Sequence, residues 1–496
     1  MADAMPSPTS LSVLMVASEA QPYAKTGGLA DVVGALAPTL ASCGHRVSVV
    51  MPHYREVGPI TGATERLAVT LGAETWQLSL TRVDVDERLR WVFIGCDPLY
   101  DRDGLYGDRD GDFPDNFIRF GLLAKAAIAW AEHVGETPSV VHVHDWQAGL
   151  VPVWLRTVAG PLAEVPTLVT IHNLAYQGLF PAETLGALGL PAELFSIDGL
   201  EFWGQISFLK GAIAFADGIT TVSETYAREI LGADQGEGLD GLLTHRRDVL
   251  SGIRNGIDVD TWNPATDPFL PEPFSADDLS GKRAAKAALL ERFGLPTDEA
   301  ALTRPLIGMV SRMVDQKGLD LIWDARTRLS SLDVSITVVG TGASHYQGMW
   351  QELAAEQPAR VGVLVGFDEA LAHLVEGGAD LFLMPSRYEP CGLNQMYSMR
   401  YGTVPVVRVT GGLADTVTAY DAATGAGTGF VFHSYRADAM VEAIETALSV
   451  YRGGDRWRAI QRQGMRQDLS WDVSARAYVQ RYRDVIERRQ RAGRAG

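Results

Sequence analysis

Residues 11–44 read LSVLMVASEAQPYAKTGGLADVVGALAPTLASCG, and three features in series indicate how the chain is built. Residues 11–17 are a short apolar run without charge, which predicts a strand buried on both faces. Gly27 and Gly28 open a turn. Leu29, Val32, Val33, Leu36 and Leu40 then recur at helical spacing up to Gly44, and a second apolar run follows at 46–51. Strand, glycine turn, helix and strand make the right-handed βαβ unit of a parallel sheet.

The rhythm continues outward. Residues 140–143, 167–171 and 218–222 read as further strands, ending at His144-Asp145, His172-Asn173 and Ser223. In an open parallel sheet ligands bind outside the carboxyl ends of strands, so these ends predict one edge of a site. Residues 260–298 turn Pro-rich and charged without strong periodicity and read as an interdomain connection. The alternation then restarts, with strands expected at 306–310, 334–339, 361–365, 381–384 and 404–409. A chain of 496 residues exceeds the ~250–300 that one core can organise, so two α/β, Rossmann-like domains are expected. Gly27-Gly28-Leu29-Ala30-Asp31 recurs as Gly411-Gly412-Leu413-Ala414-Asp415, each copy between a strand and a helix. Basic residues 475–494 read as a solvated terminal helix that an acidic body can hold by charge.

Composition narrows the function classes. A formal net charge of -18 argues against nucleic acid and anionic membranes as partners. Cys43, Cys96 and Cys391 are too widely spaced for a CxxC pair or a zinc knuckle and fit a reducing compartment. Residues 1–10 lack a basic leader, and the apolar run at 11–17 falls short of the ~20 residues that span a bilayer, so a cytoplasmic location is expected.

Three places carry candidate chemistry. Lys25 ahead of Gly27-Gly28 at a helix start suits a phosphate, through backbone N–H groups, the helix dipole and a point charge, although such turns also serve packing alone. Arg312 and Lys317 bracket Asp315-Gln316 after a strand and suit a departing diphosphate, or are two solvated cations. Glu389, in Tyr388-Glu389-Pro390-Cys391-Gly392, can face sugar hydroxyls or an oxocarbenium ion, or can cap a helix. Nothing local predicts an activated Cys391 thiolate. His142, His144 and His172 lie on two separate strands without metal-ligand spacing, and residues 101–112 miss the calcium-loop pattern and read as a surface loop. Gly340-Thr341-Gly342 lacks the third glycine of a dinucleotide fingerprint, because His345 stands there.

Taken together these segments resemble the glycogen and starch synthase family of bacteria and plants from about Val13 to Trp471. Lys25-Thr26-Gly27-Gly28-Leu29-Ala30-Asp31 looks like its donor loop, and His144-Asp145-Trp146 and Thr170-Ile171-His172-Asn173 look like its cleft segments. Arg254-Asn255-Gly256-Ile257-Asp258 resembles its NGID motif. Arg312 with Asp315-Gln316-Lys317-Gly318, Glu389-Pro390-Cys391-Gly392-Leu393 and Thr410-Gly411-Gly412-Leu413 resemble its second-domain donor motifs.

The resemblance implies the glycosyltransferase-B fold, two Rossmann-like domains facing across a cleft. One would be 11–258, joined by helix 475–494, and the other, for the nucleotide sugar, 259–474. It implies retaining transfer of glucose from ADP-glucose to the non-reducing end of an α-1,4-glucan such as glycogen, with no cofactor and no metal. Carried over by motif, Glu389, Lys317, Arg312 and His172 would be catalytic. Lys25, Gly27, Gly28, Asp31, Asp145, Asn173, Asn255, Cys391, Gly392, Leu393, Thr410 and Gly411 would bind substrate. Asn394 replaces a frequent Thr and Thr26 a frequent Val, which leaves fine donor or acceptor preference open. A UDP-glucose transferase, a nucleotide-sugar epimerase of the same fold and a nonenzymatic glucan-binding protein are the rival readings. The role of Glu389, as nucleophile or positioning group, and the oligomeric state stay open.

Overall fold

The computed structural model describes residues 10–109 and 111–495, so the reading of residues 1–9 as lacking a leader lies outside the described residues. The chain divides into two compact units. One is Met1–Val222 with Ala227–Asn255 and Trp471–Gly496, and the other is Ser223–Tyr226 with Gly256–Ser470.

The first unit is built on one sheet of strands β1 (Ser12–Val16), β2 (Arg46–Pro52), β3 (Ala63–Leu71), β4 (Glu74–Asp84), β5 (Leu89–Gly95), β6 (Val140–His144), β7 (Thr167–Ile171), β8 (Gly218–Thr221) and β9 (Leu250–Gly252). Their order is β9-β8-β7-β6-β1-β2-β5-β4-β3. The run from β9 to β5 is parallel, whereas β4 and β3 add an antiparallel edge. Every residue of β6 and β7 is buried, which is why these strands read as unbroken runs instead of alternating ones. Helix α1 (Gly28–Ser42) buries Leu29, Val32, Val33, Leu36 and Leu40, the stripe its spacing predicts. Each such side chain contributes on the order of 1.5–3 kcal/mol by leaving water.

The second unit carries a six-stranded parallel sheet of β10 (Leu306–Val310), β11 (Ser335–Gly340), β12 (Val361–Val365), β13 (Leu381–Met384), β14 (Val404–Arg408) and β15 (Phe430–Phe432). Its order is β12-β11-β10-β13-β14-β15, so the winding reverses between β10 and β13. A crevice outside the carboxyl ends is expected at such a reversal.

Two expectations are corrected here. Residues 260–298 are no free connection, because they belong to the second unit's body. Trp262 stacks between His373 and Tyr397, with ring centroids 3.8 and 3.7 Å away. Helix α2 (Gly281–Arg292) packs on helix α3 (Glu369–Gly378), and its buried Lys282 donates to Gly377 O at 2.8 Å, Tyr401 O at 3.1 Å and Thr403 Oγ1 at 2.6 Å. A few inserted side chains hold this segment, so no apolar period marks it.

Helices α4 (Asn394–Arg400) and α5 (Gly411–Thr416) follow β13 and β14, and α6 (Trp471–Ala495) returns to the first unit. The second correction concerns α6, which is not merely solvated. It buries Tyr478, Tyr482 and Val485, while Arg489 reaches Glu164 at 3.1 Å and Asp217 at 3.8 Å. Arginines fill its polar face, so composition alone hides the buried stripe.

Candidate functional site

In the first unit β6 and β7 are neighbours, which brings His144-Asp145 beside His172-Asn173. His144 Nδ1 and His172 Nε2 lie 3.0 Å apart in a hydrogen bond. His142 is bonded at Nδ1 to Tyr482 Oη, 2.9 Å, and at Nε2 to Thr170 Oγ1, 2.7 Å. Desolvation pushes His142 and His172 down to about 3 and His144 well below its ordinary range, so these imidazoles are neutral at pH 7. They are knit into hydrogen bonds, and among the described residues no group of three or more His, Cys, Asp or Glu side chains is placed to hold a metal ion.

Asp145 has φ 54° and ψ −167°, a region nearly confined to glycine. Such strain is kept where surrounding structure over-determines it, and here its Oδ1 accepts the His172 N–H at 2.7 Å. Burial pushes the Asp145 carboxyl up to about 7; N–H groups of His172 and Asn173 pull it down, and the Glu19 carboxylate adds to the rise.

After β1, adjacent to β6 in the sheet, residues 17–24 lead to the turn over residues 25–28, which opens into α1. Lys25 Nζ pairs with Asp31 Oδ1 at 2.7 Å. The N–H groups of Thr26 and Gly27 already donate to a carboxylate, Glu19 Oε2, the latter at 3.2 Å. Gly28 and Leu29 are the next donors, at the helix start where N–H groups have no intrahelical acceptor.

In the second unit the exposed Arg312 follows β10, and Lys317 ends the turn Asp315–Lys317. Gly318 closes that turn at φ 69°, where a Cβ would lie 2.1 Å from Pro385 O. The turn thereby abuts the segment leaving β13. Lys317 Nζ lies 2.7 Å from Glu389 Oε2, which also accepts Ser386 Oγ at 2.9 Å. Cation and carboxylate, read separately from sequence, are therefore one ion pair with side chains 17% and 6% exposed.

The turn after β14 interlocks with this one. Gly412 N–H donates to Glu389 O at 3.0 Å, and Gly411, at φ 44°, approaches so closely that a Cβ would meet Glu389 O at 2.0 Å. Gln395 Nε2 donates to Cys391 O at 3.1 Å and Gly392 O at 2.9 Å, and Asn394 Nδ2 donates to Val310 O at 2.5 Å. Cys391 and Thr410 are buried, Gly392 has φ 70°, and Leu393 is half-buried. No disulfide joins the three cysteines.

The expected residues thus gather at two sheet edges. Lys25, Gly27, Gly28, Asp31, Asp145, His172 and Asn173 belong to the first unit, and Arg312, Lys317, Glu389, Cys391, Gly392, Leu393, Thr410 and Gly411 to the second. Asn255 is buried where the chain leaves the first unit. Sequence reasoning missed Glu19, Ser386, Gln395 and Phe367. Phe367 is 76% exposed two residues beyond the end of β12, and an aromatic beside Gly366 at a strand end was the available signal.

Residues 12–245 match the family described as the starch synthase catalytic domain, and 296–463 match glycosyl transferases group 1. A glycogen synthase of Anaeromyxobacter dehalogenans (strain 2CP-C) is 47% identical over 96% of this chain and 100% of that protein. One of Myxococcus xanthus (strain DK1622) is 46% identical over 96% of this chain and 100% of its own length. Among solved structures, the catalytic domain of starch synthase IV from Arabidopsis thaliana, bound to ADP and acarbose, aligns with a TM-score of 0.87 and 34% identity, covering 97% of this chain and 100% of that one. The glycine turns, the paired lysine and glutamate and the buried histidines are thus features of a chain that belongs to the glycogen and starch synthase family of glycosyltransferases, on the glycosyltransferase-B fold.

Proposed function

We propose that the chain transfers glucose, with retention, from ADP-glucose to the non-reducing end of an α-1,4-glucan, releasing ADP. The carrying observation is the Lys317–Glu389 pair at the carboxyl edge of a sheet where its winding reverses. An ammonium has three donors, and Glu389 uses one. The remainder can meet a diphosphate, with Arg312 adding its fork. On this reading Glu389 lies beside the leaving group, and its Oε1 is the acceptor offered to the sugar. A carboxylate tied to a lysine and a serine hydroxyl is a weakened nucleophile, which favours positioning over attack and a same-face entry of the acceptor hydroxyl. Phe367, exposed at the same sheet edge, offers a ring for adenine to stack on.

On this reading Lys25 and the N–H groups of its turn, taken by themselves in the first unit, are suited to phosphate, and His172, Asp145 and Asn173 to a sugar. Asn255, Cys391, Gly392, Leu393, Thr410 and Gly411 complete the binding set. A cytoplasmic enzyme with neither cofactor nor metal is the corresponding expectation, and no helix among the described residues is long and apolar enough to cross a membrane.

The test is nucleotide release with glycogen present. ADP from ADP-glucose is expected well ahead of UDP from UDP-glucose, and Lys317→Ala should lower kcat by roughly 10²–10³. Faster UDP release, an isomerised nucleotide sugar without glucan, or glycogen binding without nucleotide release would each refute it.

A further inference from the structure

Glu19 is 3% exposed and has no part in the reading above. Both its oxygens are engaged: Oε2 by the N–H groups of Thr26 and Gly27, the latter at 3.2 Å, and Oε1 by Thr26 Oγ1 at 2.7 Å and by Tyr106 Oη. Tyr106 Oη also bonds Ser18 Oγ at 2.8 Å. Tyr106 comes from the segment read as a surface loop, so a carboxylate just past β1 ties that loop to the glycine turn. As a ligand for an anion Glu19 is unsuitable, since like charges repel. As an anchor it suits well, because a buried carboxylate needs several donors and the turn provides most of them.

We propose that Glu19 is the positioning residue of the turn over residues 25–28: by holding the N–H groups of Thr26 and Gly27 it sets the entry into α1, so that the N–H groups of Gly28 and Leu29, with Lys25, are the ones presented to the diphosphate. The proposal rests on the ADP-glucose reading.

Glutamine separates shape from charge. The two N–H groups on Oε2 can only donate, whereas the hydroxyls on Oε1 can reverse and accept from an amide. A glutamine with its oxygen toward the amides therefore preserves all four hydrogen bonds without the charge.

Steady-state kinetics and amide hydrogen exchange on the full-length protein test this. Glu19→Ala should raise the KM for ADP-glucose on the order of tenfold, more than it lowers kcat, and should speed exchange at Thr26 and Gly27. The KM for glycogen should hold. Glu19→Gln should stay within about threefold of wild type in both readouts, a rescue that a general loss of stability would not show. The double variant Thr26→Val, Tyr106→Phe removes both Oε1 donors without opening a large cavity, and an intermediate rise in KM is expected even if Glu19→Ala fails to fold. An unchanged KM in Glu19→Ala or in the double variant, or a Glu19→Gln as impaired as Glu19→Ala, overturns the proposal. If wild type releases no ADP from ADP-glucose, the functional reading fails instead, and the exchange data still decide whether Glu19 holds the turn.

Discussion

Lys317 and Glu389 form one ion pair, and this governs the effect of substitution at either position. Removing one member of a buried ion pair leaves the other charged and unpaired, which costs more than the pair contributes. Lys317→Ala is therefore expected to lower unfolding free energy by about 3 kcal/mol, and Lys317→Met combined with Glu389→Gln to regain most of that loss while activity stays lost. Denaturant unfolding of Lys317→Met, of Glu389→Gln and of the double variant checks this; additive losses would mean the side chains do not interact. Each residue was legible singly, since each belongs to a recognisable segment. Their partnership was not, because the residues stand 72 positions apart. The contact between Glu19 and Tyr106 was hidden for the same reason, the two being separated by 87, although neither stood out singly.

Elements differ in how openly their sequences announce them. The β1-α1-β2 run is plain because both strands are buried on two faces and the helix has one apolar stripe. The antiparallel edge of β3 and β4 was overlooked because its residues are mostly exposed or half-buried, which leaves no apolar run. Residues 260–298 were misread for a related reason, since single aromatics insert into the second unit there. Trp262→Ala should destabilise that unit by about 2–4 kcal/mol, as it empties the slot between His373 and Tyr397. Thermal unfolding checks it, and an unchanged midpoint would show the stack to be dispensable. The repeated Gly-Gly-Leu-Ala-Asp teaches the complementary lesson. Gly27 is extended at φ −157° and donates to a carboxylate, whereas Gly411 is left-handed at φ 44° and its neighbour Gly412 donates to carbonyls, so one pentapeptide serves two geometries.

The first unit as a whole carries its histidines as a pH liability. His142, His144 and His172 are neutral when folded and charge below about 6.5 when unfolded, so their contribution is whole above that pH and is lost as pH falls below it, toward 3 for His142 and His172. Asp145 acts in the opposite sense. Raised from 3.8 to about 7, its contribution is whole below 3.8 and is lost as pH rises through 7. Near pH 5 these four groups make the unfolded unit hold about two more protons than the folded one, three gained by histidines against one kept by Asp145. Stability should therefore drop as pH is lowered from 6.5 to 5, and the slope should be shallower by about one proton in His142→Gln. Denaturation at several pH values measures both, and a flat profile in that window would contradict the buried, neutral cluster.

What the sequence determined by itself was the periodic part: two α/β halves, the helix stripe, and the glycine turns at strand ends. These depend on neighbours within a few residues, and local spacing records them. The tertiary structure alone decided which donors each turn has left to offer, that Lys317 and Glu389 form one pair, that α6 hides a buried face, and that Asp145 is held in a strained backbone. Those facts depend on groups brought together from distant positions, where burial and hydrogen-bond geometry, rather than residue order, determine the energy.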